Sequence, residues 1–124
     1  MRWMAFEELL ALVGARLAEA VRLLEAFLES GEASRLQLAS ELLASVGRET
    51  YAALAEHRHA ILAAVSLEAA ARLEERAAEI ERRGLREDDI EYVEDVCELL
   101  KRISGSISSG EYEESYRAMR ARGQ

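Results

Sequence analysis

The sequence predicts an all-α fold, a compact helical bundle of about four to six helices, with one very long central helix as a variant. Apolar residues recur every three or four positions, and nowhere do they alternate with polar residues as in a half-buried strand. Hydrophobic residues make up 50% of the 124 positions, and the chain contains no proline to interrupt a helix. These observations favour helices packed around one core.

The first predicted helix begins near Trp3 and carries a seven-residue repeat of apolar positions. The repeat consists of Trp3, Phe6, Leu10, Val13, Leu17, Ala20, Leu24 and Phe27. Leu9, Val21 and Leu28 widen this stripe, so more than one neighbouring helix is expected to cover it. Gly31 is expected to end the helix, because glycine readily adopts the left-handed cap conformation.

The segment 33–83 allows two interpretations. Gly47 is a weak helix former, and Ser66 can cap a new helix, so the segment divides into three helices. These helices would cover 33–46, 48–65 and 66–83. Without a proline, the alternative is a single long helix that passes through both weak points.

The remainder of the chain predicts three parts. Residues 1–103 form the bundle core, in which Gly84 ends one helix and an acidic first turn opens the next. Residues 104–110, "SGSISSG", are expected to be a flexible Ser/Gly link. Residues 111–124 form a short C-terminal helix and a basic tail, with Ser108 as the cap of that helix.

Composition opposes several classes of function. The net charge of −8 opposes nucleic-acid binding and attraction to an anionic membrane, and no apolar run is long enough to span a bilayer. A single cysteine, Cys97, excludes an internal disulfide and favours the cytoplasm. Scarce amide side chains and abundant Glu and Arg are typical of a heat-adapted prokaryote, although helices rich in Ala, Leu and Glu are also typical of a designed protein.

The only two histidines, His57 and His59, suggest a metal site. They project about 200° apart on a helix, so they cannot bind one ion together. Glu56 and His59 form one Glu-x-x-His pair, the spacing used by helical bundles that hold two metal ions. A complete site for iron, manganese or zinc would require a second copy of the pair from a dimer. Ordinary helix surface is the favoured interpretation, and no cofactor is expected.

Other reactive residues do not converge on a catalytic set. Cys97 lies on an apolar stripe next to acidic residues, which favours a packed core thiol over a nucleophile. The acidic run over 87–98 lacks a calcium-binding loop and is expected to be a solvated helix face. We therefore assign no catalytic residues.

The leading hypothesis is a non-catalytic helical module for protein–protein interaction, an oligomeric scaffold that forms a homodimer, because its apolar helix surface exceeds what one small bundle covers. The predicted interface residues are Trp3, Phe6, Leu12, Leu23 and Phe27. The first alternative is the metal-binding bundle described above. The second is a small subunit of an RNA-associated complex, suggested by Arg117, Arg120 and Arg122 in the basic tail.

Overall fold

The computed structural model describes residues 6–54 and 61–122, and almost all of these residues lie in helices. In chain order the helices are α1 (Phe6–Ser30), α2 (Ala33–Leu54), α3 (Ile61–Arg83), α4 (Glu87–Ser108) and α5 (Glu111–Arg122). No strand occurs within these ranges. The predicted all-α bundle is confirmed.

Helices α2 and α3 pack against each other as an antiparallel pair. Gln37 lies within 3.4 Å of Glu81, and the backbone at Gly47 lies against Leu67. In one straight helix, Gly47 and Leu67 would be about 30 Å apart, because each residue adds about 1.5 Å. The single long helix over 33–83 is therefore wrong, and so is the division into three helices at Gly47 and Ser66.

Gly47 and Ser66 failed as helix ends because packing decides their roles. A Cβ atom at Gly47 would lie 2.4 Å from Cγ of Leu67, so the absence of a side chain lets α2 and α3 approach closely. Ser66 is buried within α3, and its hydroxyl has no hydrogen-bond partner in the described structure. The two helices are separated by 55–60, which lie outside the described residues.

Two other predicted stops are confirmed. Gly31 and Gly84 have φ angles of 73° and 89°, values in the left-handed region that side chains disfavour. Their N–H groups donate to the carbonyls of Phe27 at 2.7 Å and Ile80 at 2.8 Å, which closes the last turns of α1 and α3.

The four long helices form a bundle in which α1 contacts α2 and α4, and α2 also contacts α3. Helices α1 and α4 are antiparallel, since Glu25 pairs with Lys101 at 3.2 Å and Gly14 lies against Ile107. By contrast, the backbones of α3 and α4 approach each other closely at few positions. This side of the bundle is the least closed.

Residues from all four long helices fill the core. The largest fully buried apolar side chains are Phe27, Leu17, Leu24, Leu36, Leu43, Leu73, Leu100, Val13, Val46 and Val93. Burial of one such side chain typically contributes about 1.5–3 kcal/mol, so these contacts dominate the stability of the bundle. Cys97 is also buried in this core, as predicted.

The expected flexible link over 104–110 requires correction. Helix α4 continues to Ser108, and α5 begins at Glu111. The Ser108 and Ser109 hydroxyls donate to main-chain carbonyls three residues earlier, while Ile107 packs against the core. These contacts keep the serine-rich stretch helical, since its apolar residue lies on the core side. Ser109, not Ser108, accepts the Glu111 N–H, at 3.4 Å.

Among the residues that the structure describes, no helix has both the length and the apolar character needed to cross a membrane.

Candidate interaction surface

The structure places the five predicted interface residues in different environments. Trp3 lies outside the described residues, and Phe6 is the first residue of α1. Leu12 and Leu23 are half-buried, and Leu23 packs against the core. Phe27 is 1% exposed, so in this conformation it offers no surface to a partner. Helices α2 and α4 of the same chain cover most of the apolar stripe on α1. The prediction that the surplus apolar surface lies on α1 is therefore corrected.

Large apolar side chains do remain exposed, but on other elements. They are Leu38, Tyr51, Leu67, Leu85 and Leu99, with exposed fractions between 39% and 62%. Among these, Leu99 borders an opening in the bundle wall. A groove of about 480 Å³ also runs along α1, where small residues such as Ala11, Gly14 and Ala15 line it. A large exposed apolar side chain that could anchor a partner is found at Leu99 and not in that groove.

This opening is a groove of about 350 Å³ between α3 and α4, here called the α3–α4 groove. Its apolar lining consists of Val65, Ala69, Val96 and Leu99, and its polar lining consists of Glu68, Arg72, Asp95 and Tyr92. Ala69 and Val96 are buried, while Leu99 is 40% exposed. The groove thus has an apolar floor with charged groups at its margins.

The groove forms because α3 and α4 are held together mainly at one end. There Asp89, completely buried, accepts hydrogen bonds from Arg76 at 2.8 Å and from both terminal nitrogens of Arg83 at 2.9 and 2.8 Å. The Arg86 N–H donates to the same carboxylate at 2.9 Å. These groups are called the Asp89 cluster. Its hydrogen bonds tie the end of α3 to the first turn of α4.

The electrostatics of the Asp89 cluster match this geometry. Hydrogen bonds from Arg83 hold the pKa of Asp89 well below its usual range, against the opposing effect of burial. The same pairing raises the pKa of Arg83 and of Arg76. The carboxylate therefore stays ionised throughout the neutral range and keeps both guanidinium groups in place.

Tyr92 separates the Asp89 cluster from the α3–α4 groove. The Arg76 guanidinium lies 4.8 Å from the centre of the Tyr92 ring, within the range of a cation–π contact. Burial raises the pKa of the Tyr92 hydroxyl. Tyr92 also lines a second, smaller polar cavity of about 120 Å³ with Arg72, Glu75 and Glu79. The aromatic ring thus forms the boundary between the apolar floor and the ionic cluster.

Sequence reasoning missed the role of Asp89. It belongs to the acidic run over 87–98 that was expected to be a solvated face, and for this residue the expectation is wrong. The available signal was its position: Asp89 is the third residue of α4 and follows Arg83 by six residues across a glycine turn. A carboxylate there can accept from N–H groups at the helix start. Burial of the carboxylate depends on α3 and could not be read from that spacing.

The predicted metal pair, Glu56 and His59, lies outside the described residues and stays a prediction. Within the described ranges, no group of three or more His, Cys, Asp or Glu residues is arranged to hold a metal ion. Burial raises the pKa of the Cys97 thiol, which disfavours the thiolate needed for metal binding or nucleophilic attack.

Comparisons of this chain with known protein families, with curated proteins and with solved structures find no match.

Proposed function

We propose that this protein is a non-catalytic helical module that binds another protein chain along the α3–α4 groove. The observation that supports this is the apolar floor left open between two helices that elsewhere belong to a well-packed bundle. An interaction module needs a preformed, partly apolar surface on a rigid scaffold, and the four long helices provide one.

Leu99 is the residue on which this proposal depends most. A helix that covered Val65 and Leu99 would remove both side chains from water without disturbing the core. Burial of a fully exposed leucine typically contributes about 1.5–3 kcal/mol, and Leu99 has 40% of its surface left to bury, so covering it would contribute roughly 1 kcal/mol. Central apolar residues often dominate an interface. These apolar contacts would anchor a partner, while polar contacts at the margins of the groove would set specificity.

A homodimer, as predicted from the sequence, is one form that this association can take. The proposal also keeps the predicted location in the cytoplasm and the predicted origin in a heat-adapted prokaryote. In a homodimer the groove of one subunit would receive a helix of the other. A different partner protein is the second form.

The proposal is tested by placing a photo-crosslinking amino acid at Leu99 of the full chain, in cells that naturally make the protein. The matched control carries the same amino acid at Leu38, which is 48% exposed on α2 and does not line the groove. We expect a defined cross-linked adduct from position 99 that is absent from position 38. Equal labelling from both positions, or none from either, would contradict the proposal.

A further inference from the structure

We infer that the occupant of the α3–α4 groove is a basic amphipathic helix from another protein. The inference rests on the proposed function and adds the chemistry of the partner. Charge complementarity supports it, because the groove combines an apolar floor with margins that are net acidic: Arg72 is paired with Glu68, and Asp95 is left over.

Helix α4 carries a row of carboxylates that meets the groove at Asp95. Glu91, Asp95 and Glu98 are exposed and follow each other at spacings of four and three residues, so they lie on one face of α4, with Asp95 lining the groove. None of these three carboxylates forms an ion pair with another described residue. Two bases follow the row, Lys101, which is paired with Glu25 at 3.2 Å and also interacts electrostatically with Glu98, and Arg102. The part of the row that lies in the groove, Asp95, is thus an unpaired carboxylate close to Leu99 in the lining.

The margin on α3 carries Glu68 and Arg72, and Glu75 lies beyond them at the smaller cavity on the other side of Tyr92; all three are exposed. The Arg72 side chain is already paired with Glu68 at 3.2 Å, so this pair adds little net charge. Glu75 has no ion-pair partner among the described residues. Both margins therefore favour cations on the incoming helix, since apolar contact in the centre and opposite charge at the edges are complementary.

The same charges disfavour a second copy of this chain as the occupant. The full sequence has a net charge of −8, and a symmetric contact through the groove would bring two acidic α4 margins towards each other. Like charges at close range reduce affinity and slow association. Acidic margins also oppose nucleic acid and anionic lipid surfaces.

The test uses the full chain and two fluorescent synthetic peptides, each about five helical turns long. Both peptides have leucines on one face, and the other face carries lysines in one peptide and glutamates in its twin. We expect the lysine peptide to bind at least about tenfold more tightly than the glutamate twin, with affinity that falls as salt is raised.

Neutral substitutions then locate the site. Leu99→Gln is expected to weaken binding of the lysine peptide by about tenfold, and Asp95→Asn by about threefold, with a smaller salt dependence. The matched controls are Leu38→Gln and Glu41→Gln on α2, which retain wild-type affinity. Circular dichroism checks that each variant keeps its helical content.

Four results would overturn the inference. Equal affinity for the two peptides would show that charge does not select the occupant. Equal loss in Leu99→Gln and Leu38→Gln would place binding outside the groove. Sedimentation that shows a dimer dissociated by Leu99→Gln would identify a second copy as the occupant. If the peptides fail while position 99 still cross-links a partner, the basic helix is wrong and the proposed function survives.

Discussion

The Asp89→Ala substitution removes the carboxylate that joins α3 to the first turn of α4. In the wild type this group is fully buried and accepts four hydrogen bonds, from Arg76, from two nitrogens of Arg83 and from the Arg86 N–H. Alanine leaves both guanidinium groups without this acceptor. The expected result is a clear loss of stability with no change of fold.

The magnitude follows from how well the remaining groups can be rehydrated. Removal of one partner from a buried ion pair typically costs about 3–5 kcal/mol. Here the side chains of Arg76 and Arg83 are 27% and 16% exposed, so water reaches both guanidinium groups. Arg83 also keeps its contact with Glu79 at 3.1 Å. We therefore expect a decrease of about 2–3 kcal/mol in the free energy of unfolding.

The assay is urea unfolding followed by circular dichroism at neutral pH, with Asp88→Ala as the matched control. Asp88 lies in the same first turn and reaches the same Arg76 at 3.4 Å, but its side chain is 65% exposed. Both variants lose one acid near a helix start, so their dipole effects are similar. We expect Asp88→Ala to cost about 0.5 kcal/mol or less.

The comparison has a clear failure condition. If Asp89→Ala is within about 0.5 kcal/mol of Asp88→Ala at the same urea slope, the buried cluster does not stabilise the bundle as argued. A thermal scan gives a second measure, since about 2–3 kcal/mol corresponds to a fall in Tm of roughly 8–12 °C for a chain of this length.

Three further predictions concern other parts of the structure. The folded pKa of Asp89 lies below its ordinary value of 3.8, so the stability that Asp89 contributes is complete above that pH and is lost as the pH falls further. In urea titrations, the difference in unfolding free energy between wild type and Asp89→Asn should therefore shrink below about pH 4. Gly47→Ala should destabilise the protein by about 1–2 kcal/mol because the new Cβ atom would meet Leu67. Gly105→Ala, at an exposed helical site with nothing within 4 Å, should stabilise it by about 0.5–1 kcal/mol. Unfolding curves in which both substitutions change stability in the same direction would contradict this. The buried Cys97 thiol should react with an aromatic disulfide reagent about a hundred times more slowly in buffer than in urea, and rapid labelling of the native protein would show that the core opens there.

The sequence predicts a structural feature correctly where residues close together in the chain determine that feature by themselves. Gly31 and Gly84 each lie between the end of one predicted helix and the start of the next. Both adopt the left-handed backbone conformation that a turn at the end of a helix requires. Gly47 has the same local propensity but lies where α2 meets α3, so it serves close packing within a continuous helix. No local pattern separates these two uses of glycine, because the second depends on the partner helix.

The candidate site was less predictable because it arises from the order of the helices in space. The repeat on α1 correctly predicted residues with several neighbours, yet the structure covers most of that stripe within one chain. Leu99 belongs to α4 and is left exposed only because α3 stands apart from it. Periodicity identifies which residues are apolar on a helix, but it does not reveal which pair of helices remains open.

The Asp89 cluster and the α3–α4 groove are two consequences of the same arrangement. Apolar contacts bind α3 to α2 and α4 to α1, and near the glycine turn the ionic cluster fixes the distance between α3 and α4. Further along, from Tyr92 to Leu99, no comparable link is present among the described residues, and the apolar floor faces outward. A groove fixed at one end and open along its length presents a preformed surface, so a docking helix would lose little binding energy to reorganisation of the bundle.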